Sequence, residues 1–174
     1  MEYSLDSARQ ILTATPGVLR AMLSTLSDDW LQARESADAW SPYEVCGHLL
    51  HIEESDWLDR TRIILEHGTS RPFDPVDREA GFARFRGWSI EQLVDRFAEV
   101  RESNVAELDA VITPDALSRR GVHPVFGEVE LSQLLSSWVV HDFNHLGQVT
   151  KTMAKEYAEA VGPWRAFLPI LDAP

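Results

Sequence analysis

Two histidines, His141 and His145, stand four residues apart in a long apolar-periodic segment near the C-terminal end of the chain. In an α-helix that spacing puts both imidazoles on one face, one turn apart. Both rings can then reach a single ion at roughly 2.0–2.1 Å. The face is the inward one, since Leu134, Trp138, His141, His145, Gln148 and Met153 follow the apolar stripe. A lone histidine among apolar residues is more often a hydrogen-bonded core residue. A buried pair without an ion leaves several donors and acceptors to satisfy. The chemistry these residues point to is coordination of a divalent metal.

A third ligand has to come from another helix. His48 lies about seven residues into the second long helical segment, roughly 10 Å along its axis at 1.5 Å per residue. The midpoint of His141 and His145 lies about twelve residues into theirs, or roughly 18 Å. The depths agree approximately if the two helices run parallel and less well if they do not. His48 shares an apolar face with Val45, Leu49 and Ile52, and His51, one turn on, competes for the role. His67 and His123 fall at a helix end and in a loop and read as solvated. Paired Glu-x-x-His motifs of the di-iron bundles are absent, as is the His-Glu-x-x-His of zinc proteases. His141-Asp142 alone does not make a phosphohydrolase. Cys46, two residues from His48, projects to a different face and reads as a small buried hydrophobe. Glu44 and Gln148 are the candidates to accept the second ring N–H of the ligands. Asp142, beside His141, points to a neighbouring face, for a helix–helix polar contact or the rim of a pocket.

Three neutral imidazoles leave a divalent ion with open positions, the pattern of catalytic rather than structural zinc. Such an ion can activate a water or ionise a thiol. A non-catalytic protein holding a structural ion, or none, is the alternative.

Four long helices position these residues. The first covers about residues 4–26, with a kink or restart expected at Thr15-Pro16. The second opens on Ser41, Pro42 and Glu44, a capping box with proline at the first helical position, and runs to His67, where Gly68 stops it. Ser89 caps the third, which ends before Thr113-Pro114. The fourth covers about residues 131–160 and ends at Gly162-Pro163, and an apolar tail from Trp164 to Leu171 folds back. Two long connections, about residues 68–88 and 113–130, carry Phe73, Phe82, Phe85, Trp88 and Phe126, which pack over the bundle end or wall a pocket. A short hairpin near Val122 to Val129 is the one strand signal. The fold class is all-α, a four-helix bundle with long crossover connections, as a single domain over residues 1–174.

Composition narrows the function. Apolar residues are 44% and charged residues 25% of 174, a soluble globular profile, with no apolar run long enough to span a membrane. Twenty-eight acids against sixteen bases give a formal charge of −12, which argues against a nucleic-acid partner. The N-terminal residues lack a signal-peptide pattern, and one cysteine fits a reducing compartment, so the expectation is a cytoplasmic protein.

Together these segments resemble a known family. WSPYEVCGHL at residues 40–49, followed by Glu53 and Arg60, is similar to the first signature of the DinB/YfiT-like superfamily. FGEVEL at 126–131 and HDFNHLGQ at 141–148 resemble its second, and the tail from Tyr157 through Gly162-Pro163-Trp164 to Leu171 is also typical. The resemblance covers nearly the whole chain. It implies a four-helix bundle holding one divalent metal, zinc or nickel, on three histidines, here His48, His141 and His145. It further implies a homodimer and a small-molecule substrate. The activity it implies is that of a metal-dependent S-transferase or isomerase using a low-molecular-weight thiol, or of a hydrolase.

Overall fold

A computed structural model describes residues 3–172 and shows a four-helix bundle with a single β-hairpin. Helix α1 spans Leu5–Leu23, with the Ser4 hydroxyl accepting from the Ser7 amide at its start. A short helix α2, Asp28–Leu31, precedes α3, Pro42–Ser55, and α4, Trp57–His67. Another short helix, α5, covers Ala80–Arg84, and α6 covers Ile90–Val111. Strands β1, Arg120–His123, and β2, Gly127–Glu130, pair antiparallel with Gly121 opposite Val129. Helix α7 then covers Leu131–Lys155, and two 3-10 segments close the described chain.

Helices α1 and α3 each pack against both α6 and α7, so the four form a square with α1 diagonal to α3. The expected start signals operate. Ser41 and Glu44 exchange reciprocal bonds around Pro42, and Ser89 and Gln92 do the same for α6. Gly68 ends α4 with φ +58, backbone that favours glycine.

Two boundaries differ from the sequence expectation. The second helix is divided at Asp56 (φ −130, ψ −65), a residue that is neither proline nor glycine. Asp56 is buried and ion-paired with Arg60, and the break turns Trp57 inward to stack on Trp138 at 5.6 Å. Helix α7 stops at Lys155, after which the chain continues in turns. At Pro16, by contrast, α1 continues without a restart. Proline has no N–H for the carbonyl four residues back, which is that of Leu12. That carbonyl instead accepts Arg101 Nη1 from α6 at 2.8 Å.

The apolar core has two parts, one around Trp57, Leu58, Leu135 and Trp138, the other around Leu19, Val45, Leu49 and Phe97. Arg101, 1% exposed, lies between them, 4.7 Å from the Phe97 ring centre and 5.4 Å from that of Trp138. Its guanidinium donates to both oxygens of Glu53 (2.8 and 2.9 Å) and both of Asp142 (2.6 and 3.0 Å). Asn104 and the Trp138 indole also donate to Glu53, at 3.0 and 3.2 Å. Burial alone lowers the Arg101 pKa, but the charges and hydrogen bonds of Glu53 and Asp142 outweigh it, and the guanidinium is held more firmly protonated than usual. Asp142 is therefore the helix–helix polar contact of the two roles its position allowed.

Candidate metal centre

His48 sits on the inner face of α3, and His141 and His145 sit one turn apart on α7. Their Nε2 atoms converge: His141 Nε2 is 3.1 Å from that of His48 and 3.2 Å from that of His145. One ligand atom from each of the three lies within 4.8 Å of the others, and among the described residues no other group of His, Cys, Asp and Glu does so. Two nitrogens bound to one ion at 2.0–2.1 Å are roughly 2.8–3.4 Å apart for octahedral to tetrahedral angles. The observed spacings fall in that range.

The far side of each ring decides which nitrogen carries its proton. His48 Nδ1 lies 2.9 Å from the Arg78 carbonyl, which can only accept, so Nδ1 bears the hydrogen and Nε2 a lone pair. His145 Nδ1 faces Gln148 Oε1 at 2.9 Å with the same consequence. His141 Nδ1 is buried without a partner among the described residues. Two lone pairs thus point at His141 Nε2, which has at most one proton to give, so the cluster cannot satisfy itself by hydrogen bonding. A cation among the three nitrogens resolves the conflict.

Burial also keeps the cluster in its ligating form. It holds His48 down to about 4, with the Arg78 carbonyl working against it, and His141 down to about 3, with the neighbouring imidazoles and arginine charges adding to it. His145 is lowered by burial, against the pull of Gln148 and Asp142. The Trp40 ring lies 4.8 Å from that of His48 and stacks over His145 at 6.1 Å, while Trp57 packs on His141 at 5.2 Å.

The other sequence candidates take different places. His51 does not join the cluster, and its Nε2 meets the Asp77 carbonyl at 2.9 Å. Glu44 is spent on the Ser41 capping box and on Arg34 rather than on His48. Gln148 does meet His145. Cys46 is buried with its thiol pushed up to about 12 by desolvation, a core residue rather than a nucleophile. Phe73 and Phe126 line the cavity beside the histidines, whereas Phe85 is buried against α3 and Phe82 packs on Trp40.

The carbonyl of Arg78 had no counterpart in the sequence reading, because a backbone acceptor leaves no side-chain signal. It belongs to a segment fixed to α3 at successive residues, Asp77 through His51 and Arg78 through His48. That closeness requires Gly81, where a Cβ would stand 2.7 Å from the Gly47 carbonyl oxygen and 2.9 Å from the His51 Cβ. Gly81→Ala should therefore push α5 and its preceding turn off α3 and lower stability by about 1–3 kcal/mol. Urea melts of the two proteins check this, and an unchanged midpoint would refute the close approach.

The model of the DinB superfamily matches residues 11–149. Among solved structures, the chain is similar to YfiT from Bacillus subtilis, described as a probable metal-dependent hydrolase with an unusual four-helix bundle topology. That match has a TM-score of 0.73 and 19% identity over 92% of this chain and 94% of the other. The chain is also similar to TT2238, a four-helix bundle protein, with a TM-score of 0.55 and 23% identity over 84% of this chain and 98% of that one. At these identities the likeness concerns the fold. No curated protein matches the chain, and no helix among the described residues is long and apolar enough to cross a membrane.

Proposed function

Because the chain belongs to the DinB superfamily and the Nε2 atoms of three of its imidazoles converge on one spot, we propose that it is a metal-dependent enzyme. His48, His141 and His145 hold one divalent ion, zinc or nickel. The reaction is hydrolysis or transfer of a low-molecular-weight thiol to a small-molecule substrate. The convergence of the three Nε2 atoms at 3.1 and 3.2 Å carries this reading. Neutral imidazoles suit zinc and nickel, and YfiT, of the same fold, is described as a probable metal-dependent hydrolase. The ion supplies Lewis acidity, which polarises a carbonyl or favours ionisation of a water or thiol.

The protein's own part is to orient the rings. The Arg78 carbonyl and Gln148 fix which ring nitrogens are free, and Trp40 and Trp57 restrict how the rings tilt. The histidines open onto a cavity of about 690 Å³, within the range of small-molecule sites.

The experiment is metal analysis of the native protein, followed by zinc and nickel titration of the chelator-treated form and assays against thiol and ester substrates. One ion per chain, lost on substitution of any of the three histidines, is expected. Absence of stoichiometric binding would end the proposal. Gln148→Ala, which frees His145 Nδ1, should weaken zinc binding by about 10–100-fold while leaving one site. A competition titration with a chromophoric chelator measures it.

A further inference from the structure

The cavity beside the three imidazoles is lined by one charged side chain without an ion-pair partner among the described residues. Its charged lining residues are Asp56, Arg60 and Arg78. Asp56 and Arg60 neutralise each other in an ion pair, and the Arg60 guanidinium also lies 5.3 Å over the Phe73 ring. The Arg78 side chain, among the described residues, makes neither a hydrogen bond nor an ion pair. Carboxylates are not scarce in a chain with 28 acids and 16 bases. Arg9, Arg34, Arg62 and Arg96 each hold one on the surface, whereas Arg86 and Arg119, like Arg78, hold none among the described residues but do not line this cavity.

Arg78 is also well placed. Its carbonyl accepts the His48 Nδ1 proton at 2.9 Å, so its backbone is tied to the histidine cluster while its side chain lines the cavity. Its positive charge reaches the cluster, contributing to the lowered pKa of all three histidines. The rest of the wall is uncharged, with Trp40, Trp57, Phe73 and Val76 as its apolar part and Gln133, Ser137 and Asn144 as polar members. Arg78 is exposed to solvent, and an unpaired guanidinium lining a partly apolar cavity attracts small anions.

We infer that the occupant of this cavity is a small organic anion whose charged group is held by Arg78 and whose apolar part lies on Trp40, Trp57 and Phe73. Its reacting end then faces the three imidazoles; that last clause alone rests on the metal-centre reading above. A carboxylate fits the guanidinium best, because its two oxygens match the planar fork of donors.

The test compares 3-phenylpropionate with its uncharged isostere 3-phenylpropionamide. Binding to the chelator-treated protein is followed by tryptophan fluorescence and calorimetry, so that direct ligation of an ion by the carboxylate cannot contribute. The wild-type protein should prefer the carboxylate by about threefold to tenfold. Arg78→Gln should bring the ratio close to one, and Arg78→Lys should keep part of it, with melting temperatures of both variants unchanged. An equal affinity for the two probes in the wild type, an undiminished preference in Arg78→Gln, or no saturation by either probe at millimolar concentration would overturn the inference. The zinc titration is scored separately. A preference that persists in a protein without metal binding removes the metal reading alone, and metal binding without a preference removes the anion alone.

Discussion

Replacing Arg101 by methionine should lower the free energy of unfolding by about 3–5 kcal/mol, the cost of leaving buried carboxylates without their counter-charge. All five N–H groups of this guanidinium are used: one to the Leu12 carbonyl, two to Glu53 and two to Asp142. Methionine fills most of the space of the stem but leaves two carboxylates facing each other in the core, and Leu12 loses the donor that Pro16 made necessary. For a domain of this size the melting temperature should fall by roughly 6–20 °C. The triple variant Arg101→Met, Glu53→Gln, Asp142→Asn should recover part of the loss, since it removes the uncompensated charge and leaves only imperfect pairing. A drop below about 1 kcal/mol for the single variant would mean that the network bears little of the stability. Thermal and urea melts on metal-free protein keep this separate from any contribution of a bound ion.

The second large effect is with acid. In the metal-free protein His48 and His141 have folded-state pKa values of about 4 and about 3, below the ordinary 6.5, chiefly through burial. Above pH 6.5 both states hold these rings neutral and stability is unaffected. As pH falls below 6.5 the unfolded chain takes up protons that the folded chain refuses, and each such histidine costs about 1.4 kcal/mol per pH unit down to its folded value. Asp56 opposes this. Burial raises it to about 6, with Arg60 working against the shift. Between pH 6 and 4 the folded state therefore binds that proton more readily and gains stability. His145, also lowered by burial, adds to the fall, and Glu53, raised by burial, opposes it as Asp56 does; three histidines against two carboxylates leave a net loss of stability in the metal-free protein between pH 6.5 and 4. Urea midpoints across that range measure it. A flat profile would show that the imidazoles protonate without cost and that the cluster is open to water in solution.

Much of this architecture was readable in the chain because its signals are local. Ser41-Pro42-Glu44, Ser89 and Gly68 each act within one helical turn, and the structure uses them as expected. The spacing of His141 and His145 is equally local, whereas choosing His48 over His51 needed either the resemblance or the coordinates. What distinguishes them is the nitrogen that the segment around Asp77 and Arg78 takes: Nδ1 of His48, which leaves Nε2 for the cluster, but Nε2 of His51. Arg101 stayed hidden for a different reason. A charged residue on a helix is ordinarily solvated, and its burial depends on Glu53, Asp142 and Leu12 arriving from three other helices. The break at Asp56 has no breaker residue to announce it. Tertiary contacts, the Trp57 stack on Trp138 and the pairing with Arg60, accompany it instead.

Proline within α1 has a consequence for alignment. Apolar stripes repeat every turn, so two packed helices can slide by one turn and still match fairly well. A carbonyl stripped of its amide partner does not repeat. Pro16 creates one such acceptor at Leu12, and the break at Asp56 leaves another nearby at Glu53, whose carbonyl takes Asn104 Nδ2 at 2.8 Å. Arg101 and Asn104 lie three residues apart on α6, so a single turn of that helix reads both marks at once. The irregularities in α1 and α3 thus set a unique vertical alignment of the bundle. Through Arg101 and Asp142 that alignment extends to α7, and so fixes the height at which His141 and His145 meet His48.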